Sequence, residues 1–230
     1  MPFDLSRIRG LCFDIDGTLR DTDDQMALRL ARWLRPFKRL FPNNDPVPTA
    51  RRLIIASEAP GALLLRIPDR LGVDEKLAAL GDTLFRLGII KPEKIFNLIP
   101  GVIEMLQALQ PYYPMSIVSA RGRQNTLAFL EAYNLTRFFA CVATAQTCKH
   151  TKPYPDPILW AAEQMELPPD SCLMIGDTAV DVRAGKAAGA QTVGVLCGFG
   201  DEKELLEAGA DLILPGTTML PQILSGFHLI

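Results

Sequence analysis

From residue 100 onward, short apolar runs alternate with stretches of helical period, and this alternation constrains the fold more than any other feature of the chain. Val102 to Leu109 is helix-like, and Met115 to Val118 is an apolar run ending at Ser119. Gln124 to Tyr133 has helical spacing and precedes a run at Phe139 to Ala143; Pro157 to Met165 is helical, and Cys172 to Ile175 runs into Gly176-Asp177. Val180 to Ala188, Thr192 to Leu196 and a short unit at Leu212 to Leu214 complete the series. Runs this short suit strands buried on both faces. Strands separated by helices pair in parallel, because each crossover returns the chain in the same direction. The expected fold class is therefore α/β, a parallel sheet with helices on both faces. Sheets of this kind take ligands at the carboxyl ends of their strands.

One further run, Ile8 to Phe13, lies near the N-terminus and stops at Asp14-Ile15-Asp16-Gly17-Thr18, a polar turn that ends a buried strand. Beyond Asp21 the character changes. Met26, Leu30, Trp33, Leu34 and Phe37 recur at helical spacing, as do Leu77, Leu80, Leu84 and Leu87, with no convincing strand between. Residues 1–20 and 100–230 are thus expected to form the sheet domain, and 21–99 an inserted helical domain. Within the insert, Arg29, Arg32, Arg35 and Arg39 step by three or four and would line one helical face. Such a face either draws in anionic substrates or is an ordinary solvated surface.

Two strands end in acid: Asp14 and Asp16 after the first, Asp177 and Asp181 after the run near 175. Parallel strands share an edge, so four carboxylates would crowd one crevice and raise one another's pKa. A cation relieves that crowding. Oxygen-only ligands favour Mg²⁺, and zinc is disfavoured because His150 and His228, the two histidines, are distant in sequence from these motifs. Singly, each motif has a plainer explanation as a turn or helix cap. Jointly they are harder to dismiss, since D-x-D-G-T should arise by chance in roughly one chain in several hundred of this length.

Asp14-Ile15-Asp16-Gly17-Thr18-Leu19, Ser119, Lys152-Pro153 and Gly176-Asp177-Thr178-Ala179-Val180-Asp181 together resemble the four motifs of the haloacid dehalogenase-like (HAD) hydrolase superfamily, in the family's order. The resemblance implies a Rossmann-like core with an inserted α-helical cap of C1 type, and is strongest to the phosphoglycolate phosphatase-like group. It implies a Mg²⁺-dependent phosphatase acting on a small phosphomonoester, phosphoglycolate- or sugar-phosphate-like. On that footing Asp14 is the nucleophile that forms an aspartyl-phosphate, and Asp16 is the general acid and base. Lys152 compensates charge, while Ser119, Ala120 and Thr18 bind substrate. Asp14, Asp177 and the backbone carbonyl of Asp16 hold the metal, and Asp181 orients Lys152 or metal-bound water. Ser119-Ala120-Arg121 departs from the family, where Asn often follows the Ser or Thr. Arg121 then either contacts a substrate anion or, as expected here, faces solvent.

Three other activities are weighed against this. A beta-phosphoglucomutase-like phosphomutase shares the core, but such relatives place a histidine in the cap and residues 21–99 contain none. A 2-haloacid dehalogenase lacks the second aspartate. A receiver-like signalling module carries its phospho-aspartate on the third strand. The formal net charge of −2 argues against a nucleic-acid partner. No apolar run approaches the ~20 residues that span a bilayer, and Met1-Pro2-Phe3-Asp4 does not open a secretory signal. Five cysteines without CxxC spacing are expected as free thiols in a reducing compartment. The expectation is a soluble cytoplasmic enzyme, a monomer or homodimer, whose partner is a small phosphorylated metabolite.

Overall fold

The computed structural model describes residues 3–21, 31, 33–41, 46, 49 and 97–224. Six strands form one parallel sheet: β1 (Gly10–Phe13), β2 (Met115–Val118), β3 (Cys141–Ala143), β4 (Cys172–Gly176), β5 (Gln191–Val195) and β6 (Leu212–Leu214), in the order β3-β2-β1-β4-β5-β6. Among the described residues, the helices that accompany this sheet are α1 (Val102–Leu109), α2 (Arg123–Ala132), α3 (Asp156–Gln164), α4 (Ala179–Ala187), α5 (Glu202–Ala208) and α6 (Leu220–Leu224). The chain winds outward from β1 through β2 to β3, then crosses back to β4 on the other side of β1. That reversal opens a crevice beside β1, where doubly wound sheets bind ligands.

Side-chain alternation along the strands divides the interior in two. Leu11, Phe13, Ile117 and Ile175 point into a large-residue core with Leu106 of α1 and Phe129 of α2. Cys12, Val118 and Met174 point the other way, against Ala161 of α3 and Ala184 of α4. Small residues on that second face let the helices approach the sheet closely. Each fully buried Leu, Ile or Phe contributes on the order of 1.5–3 kcal/mol, so the large-residue face supplies most of the burial energy.

The expected alternation is present, with shifted ends. The first strand begins at Gly10 rather than Ile8, because Ile8 N–H closes a 3₁₀ turn onto Leu5 O at 3.2 Å. The third begins at Cys141 rather than Phe139, whose N–H likewise closes a 3₁₀ turn onto Thr136 O at 3.2 Å. Helix α5 falls between β5 and β6, where no helix was expected. Asp201 caps it by accepting from Glu204 N–H at 2.8 Å, and Gly209 ends it at φ 95°.

Most of the expected helical insert, including Arg29, Arg32 and the Leu77–Leu87 pattern, lies outside the described residues. At its described part, Arg35–Leu40 is a 3₁₀ helix with Pro36 in its first turn, not a continuation of an α-helical face. Proline lacks the N–H that an α-helix interior requires. Arg20 and Leu98 form an antiparallel bridge, Asp21 N–H donates to Asn97 O at 2.9 Å, and Ile99 N–H to Leu19 O at 3.0 Å.

Candidate active site

Parallel register brings the three strand-end motifs to one place. Phe13 pairs with Ile117 on one side and Ile175 on the other, so Asp14, Ser119 and Asp177 all emerge just past the same level of the sheet. Asp14 N–H continues the ladder by donating to Ile175 O at 2.9 Å, and Ser119 N–H does so to Ala143 O at 3.0 Å. Carboxylate oxygens of Asp14, Asp177 and Asp181 lie within 4.8 Å of one another. All three residues are buried.

Lys152 enters this group from the loop before α3. Its Nζ donates to Asp14 Oδ1 at 2.6 Å and to Asp181 Oδ1 at 2.5 Å. Asp181 sits in the first turn of α4, where its Oδ2 accepts from Thr178 N–H at 3.1 Å and Thr178 Oγ1 at 2.7 Å. Helix capping and lysine positioning, alternatives in the sequence, are combined in one carboxylate. Asp177 Oδ2 accepts from Phe199 N–H at 2.8 Å, and its backbone carbonyl from Gly200 N–H at 3.0 Å. Asp177 Oδ1 is buried with no hydrogen-bond partner.

Burial raises the Asp14 carboxyl from its ordinary range to about 7, against the pull of Lys152, and the carboxylates of Asp181 and Asp16 add to the rise. Burial likewise pushes Asp177 well up, reinforced by Asp181 and Asp14. Burial alone would lower Lys152, yet the flanking Asp14 and Asp181 hold it above the ordinary lysine range. If ionised, three carboxylates against one ammonium leave two uncompensated negative charges. A divalent cation has the matching charge, and the unpartnered Asp177 Oδ1 is an available ligand. The donors are oxygens, and 4.8 Å is near the ~4.2 Å that separates opposite ligands of Mg²⁺ at ~2.1 Å each. These residues fit a magnesium ion.

Gly17 has φ +74°, and a Cβ there would strike the Asp177 carboxylate, as would one on Gly198. Glycine at both positions therefore lets two loops close over Asp177. Asp16, one residue earlier, is not one of the carboxylate trio. Its Oδ2 pairs with Arg121 Nε, and its Oδ1 lies 3.4 Å from Arg20 Nη1. The expectation that Arg121 faces solvent is corrected: it reaches back across the loop to Asp16. Ser119 Oγ accepts from Arg121 N–H at 3.2 Å, and Ala120 is exposed at the rim. Thr18 is fully buried; its carbonyl accepts from Thr217 Oγ1 at 2.6 Å, while its own hydroxyl is buried without a partner.

Sequence reasoning missed Phe199, Gly200 and Arg20. A backbone donor leaves no side-chain signature, although glycines flanking Phe199 just past a strand were a usable signal. Arg20 carried no motif of its own.

A family model described as "Haloacid dehalogenase-like hydrolase" matches residues 11–195. A phosphoglycolate phosphatase of Escherichia coli O157:H7 is 29% identical over 209 residues, covering 84% of this chain and 82% of that protein. Another, from Pseudomonas syringae pv. tomato, is 26% identical over 208 residues and covers 89% of this chain and 75% of its own. Among solved structures, a HAD family hydrolase from Deinococcus radiodurans R1 with bound phosphate and sodium is similar at a TM-score of 0.67 and 21% identity, covering 97% of this chain and 98% of that one. A hydrolase from Pseudomonas syringae gives 0.62 at 23% identity, covering 95% and 99%.

Proposed function

Because this chain belongs to the haloacid dehalogenase-like hydrolases, we propose that it is a magnesium-dependent phosphatase that cleaves a small phosphomonoester through a phosphorylated Asp14. The observation that carries this is the buried trio Asp14, Asp177 and Asp181 with one ammonium, Lys152, paired to Asp14 and Asp181, and Asp177 Oδ1 left over. The phosphoglycolate phosphatases that align with most of the chain support the reaction class.

Asp14 attacks phosphorus, and the ester bond to the leaving oxygen breaks as the Asp14–phosphorus bond forms. Lys152 fixes the Asp14 carboxylate and compensates charge on the phosphoryl oxygens. Ser119, just past β2, offers its hydroxyl to a phosphoryl oxygen; Ala120 and Thr18 belong to the loops that follow β2 and β1. Asp16 gives its proton to the leaving oxygen and then takes one from the water that attacks the phospho-aspartate. Asp14, Asp177 and the backbone of Asp16 would hold Mg²⁺, which supplies positive charge to nucleophile and phosphoryl group when bound. Asp181 is a positioning residue, since Lys152 occupies its Oδ1 and Thr178 its Oδ2.

Residues 21–99 are proposed to form the cap over this site, inserted into a core of 1–20 and 100–230. The junction at Arg20 and Leu98 directly follows the Asp14–Thr18 loop, so both ends of the insertion leave from the site's edge. Among the described residues no helix is long and apolar enough to cross a membrane, in keeping with a cytoplasmic enzyme acting on a soluble metabolite.

The test is hydrolysis of p-nitrophenyl phosphate with and without Mg²⁺. We expect metal-dependent release of p-nitrophenol, reduced at least about 10³-fold in Asp14→Asn. Equal activity in the variant would refute the assignment of the nucleophile.

A further inference from the structure

Asp177 is gripped by a loop that lies outside the four sequence motifs. β5 runs parallel to β4, with Gly194 opposite Gly176. Past β5 the chain continues through Leu196-Cys197-Gly198-Phe199-Gly200 and folds back over the residue that follows Gly176. Phe199 N–H donates to Asp177 Oδ2 at 2.8 Å, and Gly200 N–H to the Asp177 carbonyl at 3.0 Å. Cys197 Sγ–H donates to Gly17 O at 3.2 Å and lies 3.5 Å from Thr217 Oγ1, which in turn donates to Thr18 O at 2.6 Å. The loops after β1 and β5 are thus stitched together with the Asp177 carboxylate between them.

The two oxygens of that carboxylate are not equivalent. A Cβ on Gly17 or on Gly198 would strike Oδ2, so glycine backbone encloses this atom from both loops while Phe199 N–H bonds to it. Oδ1 is buried and, among the described residues, has no partner. Asp177 therefore has one oxygen for a cation, and the other is walled off. The neighbouring carboxylates are also committed: Lys152 takes Asp14 Oδ1 and Asp181 Oδ1, and Thr178 takes Asp181 Oδ2. Ca²⁺ takes about six to eight oxygens and uses carboxylates that bind through both of theirs. Mg²⁺ is smaller, keeps several waters and needs only one or two carboxylates.

We propose that Gly198, Phe199 and Gly200 are positioning residues for the cation: they lock Asp177 as a one-oxygen ligand, and the site thereby prefers a small octahedral cation to Ca²⁺. The proposal rests on the magnesium-dependent reading above and adds the loop after β5 as the element that sets cation choice.

Binding tests it without turnover. Mn²⁺, which also suits oxygen ligands, loses its free-ion electron paramagnetic resonance signal when bound, and Mg²⁺ and Ca²⁺ are then titrated as competitors. On the wild-type protein Mg²⁺ should displace Mn²⁺ at about 10-fold lower concentration than Ca²⁺ does. Gly198 does not have a positive φ, so Gly198→Ala adds a methyl group against Asp177 Oδ2 without backbone strain. It should weaken Mg²⁺ about 10- to 100-fold. The carboxylate driven off Phe199 N–H can offer both oxygens, so the preference for Mg²⁺ over Ca²⁺ should fall to within about 3-fold of unity. Should Gly198→Ala not fold, Cys197→Ala removes the bond to Gly17 O, spares every backbone donor, and should lower the preference about 2- to 5-fold. Ca²⁺ competing as well as Mg²⁺ on the wild-type protein, or a preference unchanged in the variant that folds, overturns the proposal while the phosphatase assignment stands. A wild-type protein that binds no Mn²⁺ overturns both.

Discussion

Asp181 shows how one side chain can serve fold and chemistry at once. Its Oδ2 caps α4 through Thr178, and its Oδ1 holds Lys152 against Asp14. Asp181→Asn separates the two roles, because the amide keeps one oxygen to accept from the Thr178 N–H in the capping box but loses the charge that holds Lys152. Lys152 loses a charged partner, while the repulsion on Asp14 and Asp177 is relieved, so the stability terms oppose one another. The expected outcome is a change in unfolding free energy of no more than about 1 kcal/mol, with kcat lowered about 10- to 100-fold. Urea titration and steady-state kinetics check the two halves; an unchanged kcat would leave Asp181 a cap and nothing more. The acidic strand ends made the cluster of Asp14, Asp177 and Asp181 legible in sequence, because strand ends in a parallel sheet converge, whereas Lys152, in a loop, was assigned through the family resemblance. Arg121 was misjudged because a loop arginine has no periodicity to say which way it turns, and its partner depends on how two loops fold over each other.

At the scale of elements, the close approach of α4 to the sheet depends on Gly185. A Cβ at that position would lie 2.5 Å from Thr192 Cγ2 and 3.0 Å from Met174 Cβ, both on strands beneath the helix. Gly→Ala inside a helix ordinarily gains up to about 1 kcal/mol in propensity. Overpacking a tight interface costs about 1–3 kcal/mol, so overpacking wins. Gly185→Ala is expected to destabilise the protein by about 1–2 kcal/mol, read as a lower urea midpoint at constant slope; a stabilised variant would show that the helix can shift outward freely. Strands β2 and β6 and helix α1 match the residues expected from sequence, since apolar runs and helical periods mark them directly. The starts of β1 and β3 did not match, because 3₁₀ turns consumed residues that are apolar enough to pass for strand. Helix α5 was overlooked although Asp201, Glu204 and Gly209 are ordinary start and stop signals. Its amphipathic face was short, with Leu205 the sole fully buried position among its residues.

For the whole molecule, three buried carboxylates and one ammonium meet at the carboxyl edge of the sheet's central strands. The Asp14 carboxyl is raised by burial to about 7 from a model-peptide range near 4, so the cation-free native state keeps a proton that the unfolded chain releases. The stability this contributes is fully present below the unfolded pKa and is lost as pH rises through about 7. Burial pushes Asp177 in the same direction. Bound Mg²⁺ requires the deprotonated carboxylates, so the increase in Tm on adding Mg²⁺ should grow between about pH 5.5 and 7.5. A constant or shrinking increment in a thermal melt series would contradict that sign. The core architecture could be foreseen because its strands and the helices before α5 announce themselves locally. The paired chain at Arg20–Leu98 could not, because it joins residues far apart in sequence through backbone bonds that no side chain encodes. The central claim, that Asp14 receives the phosphoryl group, is tested most directly by an acid-quenched single turnover with enzyme in excess over substrate and Mg²⁺ present, followed by peptide mass mapping. The account predicts the mass increment of one phosphoryl group on the peptide carrying Asp14, absent in Asp14→Asn. A phosphoryl group captured on any other residue, or wild-type turnover in Asp14→Asn, would contradict it.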